Sequence, residues 1–156
     1  MLRPRSILLP LPAVVIIGLS GCGSGKEQVS PAELVQKADG VCRVEQTKFD
    51  QIQAHPPANA SIAADQTKEL IDVAEAASSD LGELEPPESL SASFDRYLGA
   101  RNRAVDEMRK GRDAAEDQDS AGYAAAQTAV AKGAPQRRRL AGALGLRVCG
   151  SNPRSG

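Results

Sequence analysis

Two Pro-Pro pairs, at 56–57 and 86–87, divide much of the chain into segments that each have the pattern of a helix. A residue that precedes proline avoids the α region, so we expect a helix to end at each pair. The first segment opens with the clearest helix start in the chain. Ser30 suits the N-cap, Pro31 the first helical position and Glu33 the capping box. The sequence therefore predicts separate helices joined by short connections.

Apolar residues recur at three- and four-residue steps in four segments, which is the spacing of one helix face. The second segment starts near Asn59 or Ser61, the third around 88–91, and the fourth at Asp119 or Ser120. No segment shows the sustained alternation of a strand, so we predict an all-α fold, an antiparallel four-helix bundle of up-down-up-down topology, with the first and fourth helices as neighbours. The predicted faces are Leu34, Val35, Ala38, Val41, Cys42, Phe49 and Ile52; Ala63, Thr67, Leu70, Ala74, Ala77, Leu81 and Leu84; Leu90, Phe94, Leu98, Val105 and Met108; and Tyr123, Gln127, Val130, Ala134, Ala141 and Leu144.

Three residues break these patterns. Glu45 interrupts the apolar face of the first helix, and Arg101 falls on the apolar face of the third. Arg101 either extends its charge outward on its alkyl stem or pairs with a buried acid, for which Glu45 is the candidate; the outward orientation is favoured. Pro135 lies inside the fourth segment, where proline removes a helical hydrogen bond, so a kink or a break is expected there.

The N-terminal segment has the build of a secretory signal peptide. Arg3 and Arg5 precede an apolar run from Ile7 to Leu19, and small residues follow it. A membrane-spanning helix needs about 20 apolar residues, so this run is too short to be one. Residues 1–21 are therefore predicted to be cleaved.

The four residues Leu19-Ser20-Gly21-Cys22 resemble the lipobox of bacterial lipoproteins. The resemblance implies transfer of a diacylglyceryl group to the thiol of Cys22, cleavage before Cys22, and often acylation of the new amino terminus, for example with palmitate. Two acyl chains anchor a protein stably, whereas one holds it only marginally. An ordinary secreted protein is the alternative. We predict a lipid anchor on the extracytoplasmic face of the bacterial cell membrane, with residues 22–29 as a lipidated tether.

The chain has three cysteines, and the lipobox takes one of them. Cys42 and Cys149 remain, and two leftover thiols outside the cytoplasm tend to pair. A metal site would need further ligands at suitable spacing, and none stands nearby. A redox motif of the C-x-x-C type is also absent from the sequence. We therefore predict a Cys42–Cys149 disulfide. Residues 30–149 are predicted to form one helical domain, and residues 150–156 are predicted to be a disordered tail.

The composition argues against several function classes. Removal of the signal segment leaves 17 Lys and Arg against 20 Asp and Glu, a net charge of −3, which is not the basic excess of a nucleic-acid binder. His55, the single histidine, precedes two prolines and is a poor candidate for a catalytic base. The Glu-x-x-His pairs of di-metal bundles are missing, so no metal or other cofactor is expected.

The run Arg137-Arg138-Arg139 is the densest charge cluster. Three successive helical residues point in directions about 100° apart, so they cannot form one narrow patch. They are predicted to be a solvated helix face; the alternative is contact with anionic lipid headgroups, where each charge adds about 1 kcal/mol.

Together these features resemble a group of small helical lipoproteins of actinobacteria. The resemblance rests on the lipobox, on Lys37-Ala38-Asp39-Gly40-Val41-Cys42, on the Pro-Pro break, on Phe94-Asp95-Arg96-Tyr97-Leu98 and on Leu144-Gly145-Leu146-Arg147-Val148-Cys149-Gly150. It implies no activity and supplies no catalytic residue. The sequence thus favours a non-enzymatic helical interaction or scaffold module whose partner is an envelope protein or a cell-wall component. The alternative is a carrier of a small apolar ligand.

Overall fold

The computed structural model describes residues 28–151, which form four α-helices and, within that range, no strand. The helices are α1 (Pro31–Ile52), α2 (Ala60–Gly82), α3 (Glu88–Glu116) and α4 (Ser120–Ala143). The predicted all-α four-helix bundle is therefore confirmed. The predicted signal peptide and Cys22 lie outside the described residues.

Side-chain caps begin three of the four helices at the residues that the sequence indicates. Ser30 accepts from the Glu33 amide, and the Glu33 carboxylate accepts from the Ser30 amide, so the capping box is complete. Asn59 caps α2 through its bond with the Ile62 amide. Asp119 caps α4 by accepting from two amides of the first turn. These bonds satisfy amide groups that have no partner within the helix, which fixes where each helix starts.

Helix α3 is the centre of the bundle. It makes its most extensive contacts with α4 and α2, while α1 packs chiefly on α2. Direct contact between α1 and α4, the predicted neighbours, is slight. The segment that follows α4 contacts α1 instead, through the disulfide and several hydrogen bonds.

The core differs between the two halves of the bundle. We call the half that contains Val29, the α2–α3 connection and the segment after α4 the disulfide half. Its core combines large side chains with a few alanines: Leu34, Ala38, Leu81, Phe94, Tyr97, Ala141, Leu144 and Leu146. The other half, which contains the α1–α2 and α3–α4 connections, is called the alanine half. Its buried cluster is Ala63, Ala64 and Ala115, with Tyr123 packed against it. A third cluster, between the two, consists of Ile71, Ala74 and Val105 with Phe49 and Met108.

Helix α4 runs without interruption through Pro135, so the break allowed by the sequence does not occur. Pro135 is exposed, which places its ring away from the neighbouring helices. Near it, the guanidinium of Arg137 donates to the carbonyl of Val130 at 3.1 Å. The carbonyl that loses its helical donor at Pro135 is that of Ala131, so the bond from Arg137 is made one residue earlier in the helix.

The sequence predicts Gln127 on the buried face of α4, but Gln127 is exposed, so that prediction is wrong.

Defined contacts extend beyond both predicted boundaries of the domain. Val29, assigned to the tether, packs against the core of the disulfide half, and its amide donates to the Glu85 carbonyl at 2.9 Å. Ser151, assigned to the tail, donates its hydroxyl to the Val148 carbonyl at 2.7 Å. Both residues therefore belong to the folded domain.

Candidate functional site

The two downstream cysteines form the predicted disulfide. Cys42 lies in the middle of α1 and is 1 % exposed, and Cys149 lies beyond α4. Their α-carbons are 5.2 Å apart, and 107 positions separate them in the chain. The bond joins the start of the domain to its end.

A turn at Gly145 directs the C-terminal segment towards α1. Gly145 has φ of +78°, a conformation that residues with a β-carbon adopt rarely. The amide of Leu146 donates to the Ala141 carbonyl, and that of Gly145 donates to the Gly142 carbonyl, both at 3.0 Å. This is the Schellman arrangement that ends many helices. It places Leu146, 2 % exposed, in the core of the disulfide half.

Asp39 holds the segment in place and was not identified from the sequence. Its carboxylate accepts three hydrogen bonds from successive amides, those of Arg147 (3.0 Å), Val148 (2.9 Å) and Cys149 (3.2 Å). The side chain is buried, and bonds from amides to a carboxylate are stronger than neutral ones. One signal was present: Asp39 lies three residues before Cys42, on the same face of α1.

Gln46 completes the same face of α1 one turn beyond the cysteine. Its side-chain amide donates to the Val148 carbonyl at 2.9 Å and to the Ser151 hydroxyl at 3.1 Å. Asp39, Cys42 and Gln46 thus follow one another along α1, and each binds the C-terminal segment. These groups have a structural role because their bonds are made within the chain.

The charged pair between α1 and α3 is the second polar feature of the interior. Arg101 donates to Glu45 at 2.7 Å, and each side chain is 12 % exposed. The favoured prediction, that Arg101 extends into solvent, is wrong; the alternative pairing with Glu45 is what the structure has. Burial lowers the pKa of Arg101, but Glu45 and Tyr97 together outweigh this effect, so the pKa is raised and Arg101 stays charged.

Tyr97 links this pair to the disulfide. Its hydroxyl accepts from Arg101 at 3.4 Å and lies 3.7 Å from the Cys42 sulfur, and the guanidinium stands 5.8 Å from the centre of its ring. Burial raises the pKa of Tyr97 because the phenolate would lose its hydration. Tyr97 therefore remains a neutral hydrogen-bonding group.

Arg137 turns inward, contrary to the prediction that the whole arginine run is a solvated face. Arg137 and Arg138 are half-buried, and Arg139 is exposed. Gly133 makes this possible: a β-carbon at its position would stand 2.8 Å from a terminal nitrogen of the Arg137 guanidinium. Burial, and next the positive charge of Arg101, lower the pKa of Arg137. Two guanidinium groups thus approach the same part of the interior.

A cavity of about 100 Å³ lies where these groups meet, lined by residues of all four helices. Its polar lining is Glu45, Arg101 and Arg137, and its apolar lining includes Phe49, Val105, Met108 and Val130. The Nε of Arg101 is buried here and has no hydrogen-bond partner among the described residues. The site combines an excess of positive charge with apolar walls.

The alanine half carries a larger and more apolar depression of about 280 Å³. It lies between the two connections of that half, and its lining includes Ala60, Ala63, Ala115 and Tyr123. Small side chains leave this space because they do not reach across between α2 and α3.

The remaining candidates from the sequence take no part in these sites. His55 is exposed in the α1–α2 connection, where its carbonyl accepts from Gln66 at 3.0 Å. Across residues 28–151 no three His, Cys, Asp or Glu side chains are grouped as a metal site would require. Within the same range no helix is both long and apolar enough to cross a bilayer.

By its architecture the chain is a disulfide-linked four-helix bundle with a charged interior. Comparison with protein-family models, curated proteins and solved structures finds no match.

Proposed function

We propose that this protein is a bacterial lipoprotein, anchored to the extracytoplasmic face of the cell membrane through Cys22, and that its bundle is a non-enzymatic interaction module of the cell envelope. The observation that carries the proposal is the position of Val29. It packs against the bundle, so only six residues separate it from Cys22. A chain of that length reaches at most about 25 Å even when it is fully extended, so an anchor at Cys22 would keep the disulfide half next to the bilayer.

The Cys42–Cys149 bond supports the same location. Disulfides persist in oxidising compartments and are rare in the cytoplasm. In the described domain the bond joins the two ends of the fold, as a structural disulfide does. A domain linked in this way suits the oxidising environment of the cell envelope.

A binding role is favoured over catalysis by the way the buried polar groups are used. Asp39 binds backbone amides of its own chain, and Arg101 is held between Glu45 and Tyr97. A nucleophile next to a base, the minimum for covalent catalysis, is not among these pairings. The anchor would place the alanine half away from the membrane, where its apolar depression faces an envelope protein or a cell-wall component.

The alternative, a carrier of a small apolar ligand, is less well supported. Pockets for such ligands usually measure about 300–1,000 Å³. The cavity between the four helices measures about 100 Å³ and is lined by charged groups. The depression of about 280 Å³ is slightly below this range, and it opens at the surface between two connections. Two depressions of about 330 and 450 Å³ reach the range, but charged side chains are prominent in the lining of both.

The anchor is tested by replacing Cys22. The wild-type protein, produced in an actinobacterial host, is expected to enter the detergent-rich phase of a Triton X-114 extract and to carry the added mass of the lipid. Cys22→Ala is expected in the aqueous phase or the medium. The matched control, Cys42→Ala with Cys149→Ala, keeps Cys22 and should still enter the detergent-rich phase. An unmodified wild-type protein recovered from the medium would refute the anchor.

The interaction role requires a second experiment. Cross-linking in intact cells followed by purification is expected to recover a defined envelope component with the wild-type protein. An unrelated lipoprotein with the same anchor serves as the control. Recovery of the same set of components with both proteins would contradict a specific interaction module.

A further inference from the structure

The charges that residues 28–151 bring to the wall of the central cavity do not balance. Arg101 and Arg137 bring two positive charges, and Glu45 brings one negative charge. Among these residues Glu45 accepts a hydrogen bond from Arg101 alone, at 2.7 Å. The wall therefore carries one positive charge in excess, and burial and the neighbouring charge of Arg101 both lower the pKa of Arg137.

Hydrogen-bond donors are also left over at the same place. The buried Nε of Arg101 has no partner among the described residues. The guanidinium of Arg137 donates to the Val130 carbonyl through one terminal nitrogen, which leaves its other donors free for another acceptor. A buried donor without a partner, such as the Nε of Arg101, is costly unless an acceptor is supplied.

Arg137 lies along its own helix at the edge of the cavity. Its terminal nitrogen stands 2.8 Å from where a β-carbon of Gly133 would be, so the glycine leaves room for the guanidinium in this orientation. The bond with the Val130 carbonyl orients the guanidinium, and both Val130 and Arg137 line the cavity.

The rest of the wall determines what kind of anion fits. Phe49, Val105, Met108 and Val130 are apolar, and the volume of about 100 Å³ admits only a small molecule. A carboxylate matches the planar guanidinium groups. A short alkyl chain attached to it would contact the apolar wall, whereas phosphate would leave that wall without a partner and lose more hydration.

An outer groove offers a route to the cavity. It lies between α3 and α4, measures about 330 Å³ and shares Ala104 and Arg137 with the cavity. Arg103 and Lys110 are among its lining residues, together with Asp106 and Glu107. A displacement of the Arg137 side chain would join the two spaces.

We propose that the central cavity is a binding site for a small carboxylate with a short alkyl chain, whose oxygens accept hydrogen bonds from Arg101 and Arg137. The ligand supplies the missing negative charge, and the apolar wall contacts its alkyl chain. This site is independent of the proposed anchor and of the proposed partner surface.

The test is a thermal unfolding titration of the purified protein with sodium butyrate, sodium phosphate and sodium chloride at equal ionic strength. Butyrate is expected to raise the Tm in a saturable way, by about 5 °C at ten times its Kd. Arg137→Gln is expected to lose this rise. Arg139→Gln, which removes an exposed arginine two residues further along α4, is expected to keep it.

Three results would overturn the proposal: an effect of butyrate on the Tm no greater than that of chloride, a rise in Tm that survives in Arg137→Gln, or a rise in Tm with phosphate that exceeds the rise with butyrate.

If Arg137→Gln does not fold, the wild-type protein still gives an answer. The Nε–H resonances of Arg101 and Arg137 in a ¹H–¹⁵N spectrum must shift as butyrate is added, while that of Arg139 stays in place. Unchanged resonances at both inward arginines would also refute the site.

Discussion

The two halves of this bundle are held together by different means. In the disulfide half, leucines and two aromatic rings fill the core, and Phe94 and Tyr97 are each 1 % exposed. In the alanine half, the buried cluster consists of three alanines with a half-buried tyrosine at its side. The stabilisation from burial is roughly proportional to the apolar area removed from water. The disulfide half is therefore expected to contribute more to the stability of the domain than the alanine half does.

The difference also separates the parts of the fold that resist opening from those that do not. Local opening occurs where few apolar contacts hold an element, and its free energy ranges from near zero to that of global unfolding. The proposed membrane anchor lies next to the disulfide half, and the apolar depression lies in the other. The proposed partner surface is therefore in the half that is expected to open more readily.

The largest expected effect comes from one aromatic residue in each half. Phe94→Ala removes a ring that is 1 % exposed and should lower the free energy of unfolding by about 3–5 kcal/mol. Tyr123→Ala removes a half-buried ring and should cost only about 1–2 kcal/mol. Urea unfolding followed by circular dichroism measures both values. Equal losses in the two variants would show that the halves are equally important for stability.

The disulfide should have the next largest effect. Its loop spans 107 positions, and the loss of a native disulfide from a small secreted domain typically costs about 2–5 kcal/mol. Reduction should therefore lower the Tm, while the double variant Cys42→Ala with Cys149→Ala should not respond to the reductant. Hydrogen exchange should show faster exchange at Leu146 on reduction and little change at Ala64. Equal acceleration at both positions would mean that the bond does not favour one half.

Local patterns in the sequence were sufficient to predict the elements of the fold. The Pro-Pro pairs end α1 and α2, Ser30 and Asn59 cap the helices that follow them, and the helical spacing of apolar residues gives most of the buried faces. The cysteine pairing is predicted from the number of cysteines, because the motif that resembles a lipobox contains Cys22 and two other thiols remain to pair. Each of these signals lies within a few neighbouring residues or depends on a residue type that is rare in this chain.

The interior polar contacts were harder to predict because they join distant parts of the chain. The position of Asp39 one turn before Cys42 is a local signal, but it does not indicate that Asp39 binds amides 108 to 110 residues away. Glu45 and Arg101 were both recognised as exceptions on apolar faces, but their pairing depends on how α1 and α3 approach each other. The charged run predicts a solvated position for Arg137, because a local pattern of charges does not show which member of the run faces a neighbouring helix.

The last prediction measures what the Asp39 carboxylate contributes to stability, separately from the disulfide in the same half. Asp39→Ala leaves three amides without their acceptor and should lower the free energy of unfolding by about 2 kcal/mol. Asp39→Asn keeps one oxygen and should lose less. Asp50→Ala, an exposed aspartate on the same helix, is the control and should change little. If Asp39→Ala unfolds at the same urea concentration as the control, the disulfide alone holds the C-terminal segment on α1, and the amide contacts add nothing to the difference between the halves.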